Sequence, residues 1–145
     1  MSELDTPATG PRVRAYALIG QNDRLLLIEY PDHDELPGGA VRAGEPVEQA
    51  LRRSLFDQLG ATIAELDFCT VVEHGTSKPG VPPTSEVTFL FDVTLTAPDL
   101  TAESSPQPHR WADEHELSPL RPHAVRDELI AGTLSAEHPW RAWTL

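Results

Sequence analysis

Cysteine occurs once in the 145 residues, at Cys69, and lysine once, at Lys78. A single cysteine excludes a disulfide framework within the chain. Inside the apolar run DFCTVV it reads as a small buried hydrophobe and not as a nucleophile. Bases are scarce: 11 Lys+Arg stand against 23 Asp+Glu, a net charge of −12. No basic stripe is available to neutralise a nucleic-acid backbone, so polymeric DNA or RNA is not an expected partner. There is no apolar run of membrane length, and MSELDTPATGPR is polar and acidic without the apolar core of a signal peptide. A membrane is therefore not an expected partner, and the expected compartment is the cytoplasm. The six histidines, at 33, 74, 109, 115, 123 and 138, form neither an HxxxH nor an HExxH pair, which leaves a histidine-built zinc site with little support.

What remains is enough for one ordinary core. Residues 1–11 carry Pro, Gly, Thr and acids without periodicity and read as a loosely held arm, with a single domain over 12–145. RVRAYALIG alternates polar and apolar residues, and the turn Gln21-Asn22-Asp23 leads to RLLLIEY, which together predict a hairpin. In the polar loop that follows, Asp32, His33 and Asp34 are all possible metal ligands. Adjacent residues seldom converge on one ion without further partners, so a surface loop is the preferred reading.

The most informative stretch is LPGGAVRAGEPVEQALRRSLFDQLGA, from Leu36 to Ala61. Pro46 suits a first helical position and Gly60 a left-handed stop, predicting a helix over 46–59. Val47, Ala50, Leu51, Leu55 and Leu59 form one apolar arc, which should pack on a sheet. Ser54, Asp57 and Gln58 stand at i, i+3 and i+4 and share the adjacent face.

Thr62 to Val72 and Glu86 to Thr96 are β-prone and predicted to pair antiparallel, with Val87, Phe89, Phe91, Val93 and Leu95 facing one way. Between them HGTSKPGVPPTS holds three prolines and two glycines and reads as a mobile loop outside any ladder. After a breaker-rich connection over 98–108 come HRWADEHELSPLRP and a final helix over 122–131 with Ala124, Val125, Leu129 and Ile130 inward. Trp140 and Trp143 near the end suggest docking, on the chain's own core ahead of a twofold partner.

The central stretch resembles the signature of the MutT-like Nudix hydrolases: glycine, five residues, Glu, seven residues, then Arg-Glu-apolar-any-Glu-Glu-any-Gly-apolar. The frame here is Gly39, Glu45, Arg53, Ser54, Leu55, Phe56, Asp57, Gln58, Leu59, Gly60 and Ala61. Every spacing fits. Ser54, Asp57 and Gln58 occupy the three helix positions where the family has Glu, so the motif is degenerate in its acids. HRWADEHELSPLRP is similar to the family's Trp-containing strand and acidic short helix. The resemblance implies an α/β fold, the Nudix-type α/β/α sandwich with a curved mixed sheet between the signature helix and the C-terminal helix.

For function the resemblance implies a pyrophosphohydrolase acting on nucleoside diphosphates joined to another group, with Mg2+ or Mn2+ held weakly or in a substrate-dependent way. Its partner would be a small nucleotide-type ligand, with a homodimer open. Glu45 and Arg53 match the pair that braces loop against helix. Asp57 is the remaining helix acid and, with the Gly38 carbonyl, a candidate metal ligand. Glu86 resembles a strand-opening Glu of one subgroup and is the leading replacement acid and further metal ligand, with Glu73 second. Gly38 and Gly39 line the expected substrate site. Arg14 could hold phosphate and Tyr30 could stack a base. Three readings stay open: a hydrolase with a weakened metal site, a nucleotide-binding protein without turnover, and an interaction module with a vestigial cleft.

Overall fold

The computed structural model describes residues 11–97, 106–131 and 140–144; residues 1–10 of the expected arm over 1–11 lie outside them. The strands fall into two sheets. β1 (Arg12–Leu18), β5 (Gly38–Ala40), β6 (Ile63–Lys78), β7 (Val81–Leu95) and β10 (Trp140–Thr144) form a mixed sheet in the order β10-β6-β7-β1-β5. β2 (Gly20–Gln21), β3 (Arg24–Glu29), β4 (Asp34–Glu35) and β9 (Leu120–Arg121) form the second, and β8 (His109–Ala112) pairs with β3. Among the described residues there is no helix long and apolar enough to cross a membrane.

Period-two alternation along β1 divides the core. Ala15 and Ala17 pack with Leu26, Ile28, Phe91, Val93 and Leu95 beneath α1 (Val47–Leu59). Tyr16, on the other face, packs with Leu27, Cys69, Val72, Leu90 and Val125 of α2 (His123–Ala131). The two helices therefore cover opposite faces of the strands, because successive β1 side chains point to opposite sides. The apolar arc of α1 is inward, with Ala50, Leu51, Leu55 and Leu59 buried. Gly60 ends the helix in the left-handed region at φ 64, its N–H donating to the Phe56 carbonyl, a conformation costly to residues with a Cβ. Pro46 sits one position earlier than expected: with ψ 143 it is extended and caps the helix from outside.

Two expectations are corrected. The hairpin is β2–β3 only, closed by Asn22 and Asp23 at φ 54 and 61, while β1 runs into the larger sheet beside β7 and β5. The segment HGTSKPGVPPTS also belongs to the ladder. β6 continues to Lys78 and β7 starts at Val81, with Gly75 opposite Ser85 and Thr76 opposite Thr84. The prolines escape the usual exclusion by position. Pro79 lies at the tip, and Pro82 and Pro83 fall where the register shifts between Thr76 and Lys78. On its other side β7 is paired to β1 only from Glu86 onward, so the missing N–H groups break no second ladder.

The tail pairs within the chain: β10 lies parallel to β6, with Trp140 opposite Val71. Residues 98–105 of the breaker-rich connection lie outside the described residues. HRWA forms β8, and the short acidic helix is a single 3-10 turn over Glu114–Glu116, with a reciprocal capping box between Asp113 and Glu116.

Candidate functional site

Arg53 is the joint between β5 and α1. Its Nε and Nη2 donate to the two Glu45 carboxylate oxygens at 3.0 Å each, and Nη2 also reaches the Ala40 carbonyl at 3.1 Å. The backbone N–H of Arg42 donates to Glu45 as well, at 3.1 Å. One fork thus ties the end of β5, the turn after it and the helix. The Arg53 bonds, aided by that N–H, hold the Glu45 carboxyl down at about 2. A lowered carboxyl pKa stabilises the fold above the unfolded value and is lost as pH falls through the folded one. Between pH 4.5 and about 2, a Glu45→Gln variant should therefore lose less of its thermal stability than the parent does. Identical acid profiles by circular dichroism would show that the brace carries no linkage.

Ser54, Asp57 and Gln58 are brought to one side of α1, as their spacing demands, but they meet different surroundings. Ser54 is buried and faces Gly39, whose missing Cβ would stand 3.7 Å from the serine Oγ. Asp57 is exposed; after the Glu45 contacts it is the weaker of the charges that raise the Arg53 pKa. Gln58 is committed to backbone. Its Oε1 accepts from the Gly38 N–H at 2.9 Å and its Nε2 donates to the Gly38 carbonyl at 2.8 Å. Its side chain is also hydrogen-bonded to the Tyr30 phenol.

On the α2 face lies a second constellation, which alternation and register assemble. Arg14 and Tyr16 are two residues apart on β1, and Arg12 of β1 stands beside Glu86 of β7. The Arg14 Nε donates to Glu86 at 3.3 Å, and Nη1 donates to the Tyr16 hydroxyl at 3.3 Å. Tyr16, almost wholly buried, donates onward to Glu35 Oε1 at 3.0 Å. Burial, then the Glu35 charge, drives its phenol pKa strongly upward. Glu86 also lies 3.5 Å from His74 Nε2. His74 bonds the Thr88 hydroxyl at 3.1 Å, and burial pushes its pKa down. Glu73 is opposite Val87, one position out of phase, so its side chain projects from the other face of β6 and is not brought to Glu86.

The Asp32, His33 and Asp34 run divides. Asp34 is buried and takes Arg110 Nη2 at 2.6 Å and Nε at 3.2 Å, whereas His33 lies between Asp32 and Glu35 at 2.7 Å from each. Tyr30 stacks on the His33 ring with centroids 5.0 Å apart and planes 8° from parallel.

Sequence reasoning placed Arg14, Tyr30, Gly38, Gly39, Glu45, Arg53, Asp57 and Glu86 around this region. It missed Tyr16, His33, Glu35 and His74 as members of one network. Tyr16 was detectable, since it lies two residues from Arg14 on a strand. His74 was not, because its neighbour Glu86 is fixed by cross-strand register.

The NUDIX domain family matches residues 8–132, and the chain belongs to that family. A MutT NUDIX hydrolase from Burkholderia pseudomallei is 27% identical, with a TM-score of 0.63 over 80% of this chain and 94% of that one. A NUDIX hydrolase from Nitrosomonas europaea is 19% identical, with a TM-score of 0.66 over 90% and 93%. A UDP-X diphosphatase is 12% identical, with a TM-score of 0.68 over 98% of this chain and 71% of that one. The last two show the shared fold alone. No curated protein matches the chain.

Nudix hydrolases generally use divalent metals, and the donor set here does not fit a cation held by the protein. Among the described residues no three His, Cys, Asp or Glu side chains gather as a metal group. The Gly38 carbonyl is occupied by the Gln58 amide, and Glu86 is salt-bridged to Arg14. Ser54 and Gln58 offer neutral oxygens where hard cations favour carboxylates.

Proposed function

We propose that this Nudix domain takes up small nucleoside diphosphate-linked ligands and hydrolyses them slowly. The observation that carries this reading is the double hydrogen bond between Gln58 and the Gly38 peptide. It fills, with a neutral amide, the place where a carboxylate and a free carbonyl would be needed. Asp57 is then the one acid on that side of the helix. Any Mg2+ or Mn2+ enters with the ligand's phosphates, which commonly complete the shell of ions bound by one or two protein carboxylates. Arg14 and Tyr16, beside Glu86 and Glu35, form the polar floor on the α2 face. Tyr30 and Gln58 border Gly38. The loss of one general base costs ~10²–10⁴ in rate, which sets the scale of the slowing.

The test is binding and metal-dependent hydrolysis across nucleoside triphosphates, dinucleotides and sugar nucleotides, with Asp57→Ala beside the parent. Saturable binding of at least one class is expected, with turnover roughly a hundredfold or more below the ~10 s⁻¹ typical of enzymes and abolished by the substitution. Ordinary turnover, or no nucleotide binding at all, would overturn the proposal. The Gln58 bonds equally favour a second reading, a binding protein without turnover; saturable binding with zero hydrolysis at every metal concentration would select it.

A further inference from the structure

His33 joins the two halves of the site. Its Nδ1 faces Asp32 Oδ1 and its Nε2 faces Glu35 Oε2, both at 2.7 Å. Neutral imidazole has a single N–H; the other nitrogen presents a lone pair. With a carboxylate oxygen at each end, only the doubly protonated ring makes both contacts attractive. A neutral ring would turn one of them into an opposition of lone pairs.

From His33 the contacts run two ways. The ring stacks on Tyr30, the Tyr30 phenol is bonded to the Gln58 side chain, and Gln58 grips both polar groups of the Gly38 peptide. In the other direction Glu35 accepts from Tyr16, which accepts from Arg14, which pairs with Glu86. The loop is pinned at the backbone too, Tyr30 N–H donating to the His33 carbonyl at 2.9 Å. The other charges on this loop among the described ion pairs are Arg121, 3.8 Å from Asp32 Oδ2, and the neighbouring Asp34, held by Arg110 at 2.6 Å.

We infer that His33 is a positioning residue: as an imidazolium bridging Asp32 and Glu35 it fixes the Tyr30–Glu35 loop and, through Tyr30 and Gln58, the Gly38 peptide that borders the ligand site. The Glu35 bond, then the Asp32 bond, raises the His33 pKa above its ordinary 6.5, in keeping with that bridge. A raised histidine pKa places the bridge fully below pH 6.5 and removes it as pH rises through the folded value. The site is then ordered below pH 6.5, while Asp32 and Glu35 are ionised, and loosens as the pH rises through the folded value. The consequence for ligands rests on the proposed function; the coupling of His33 to Gly38 does not.

The experiment is an NMR titration of the full chain from pH 5.5 to 9, following the His33 ring and the Gly38 amide. It compares the parent with His33→Gln, which removes the titration, and Tyr30→Phe, which keeps the stack and removes the phenol bond. In the parent, His33 should titrate above 6.5 and the Gly38 amide should move with the same midpoint. That movement should vanish in His33→Gln and shrink in Tyr30→Phe. A His33 midpoint at or below 6.5, or a Gly38 amide indifferent to His33, would overturn the inference. With ADP as the probe, Kd should rise roughly five- to tenfold between pH 6 and 9 in the parent, the net scale of one ordinary hydrogen bond, and by less in His33→Gln. Absence of ADP binding at every pH would count against the proposed ligand class, while the amide titration would still decide the role of His33.

Discussion

Alanine at position 38 is expected to destabilise the fold by on the order of 3–5 kcal/mol, a large share of a typical domain's ~5–15 kcal/mol. Gly38 has φ 135, and a Cβ there would stand 2.1 Å from the Ala15 carbonyl oxygen and 2.8 Å from the Tyr16 Cα. Both are backbone atoms of β1, which is hydrogen-bonded to β5 on one side and β7 on the other. Relief would require β5 to leave β1, breaking the register of Tyr16 with Gly38 and Ala15 with Gly39. Gly44→Ala is the control, since φ is 77 there but nothing lies within 4 Å of the added methyl; its expected cost is about 1 kcal/mol. Thermal melts separate them. At roughly 2–4 °C per kcal/mol for a domain of this size, Gly38→Ala should melt about 10 °C below the parent. A melting point for Gly38→Ala close to that of Gly44→Ala would mean that the strands do not approach as the structure shows them.

The second large effect is a gain. Ser54→Glu/Gln58→Glu should raise magnesium-dependent hydrolysis by ~10²–10⁴ for whichever nucleotide the parent binds, the usual worth of a positioned general base. It should also lower stability without metal by roughly 1–3 kcal/mol. Gln58 donates to the Gly38 carbonyl through Nε2, and a carboxylate cannot donate. The carbonyl would lose its partner and face a negative oxygen. The buried Ser54 would be replaced by a longer, charged group that must reach toward solvent or a cation. Magnesium should therefore return part of the lost melting temperature in the double variant and leave that of the parent unchanged. Equal activity and equal melting in the two proteins would show that the amide grip on Gly38 is irrelevant to the chemistry.

The local elements were legible because their causes are local. Leu51, Leu55 and Leu59 repeat on one helix face, Gly60 supplies a left-handed stop, and alternation from Val87 to Leu95 marks a strand; each follows from side-chain periodicity or a single residue's permitted dihedrals. The spacing of Gly39, Glu45 and Arg53 was readable in the same way, and it carried the resemblance to the family. The order of residues also determined that Ser54, Asp57 and Gln58 would share a helix face, since three and four positions make about one turn. It could not determine what each would touch.

Tertiary structure decided the rest. Pro82 and Pro83 looked incompatible with a ladder, yet β7 admits them because a register shift and an unpaired flank leave their missing N–H groups without consequence. Whether Gln58 would face solvent or take both polar groups of Gly38, twenty residues away, depended on how α1 is laid against β5. Likewise His33, Glu35, Tyr16, Arg14, Glu86 and His74 come together from four strands and a loop. The chain alone determined the helix, the strands and the family frame, because those depend on neighbours in sequence. Only the packed sheets decided the partners of the polar groups, because a hydrogen bond is set by distance and direction between atoms that the sequence holds far apart.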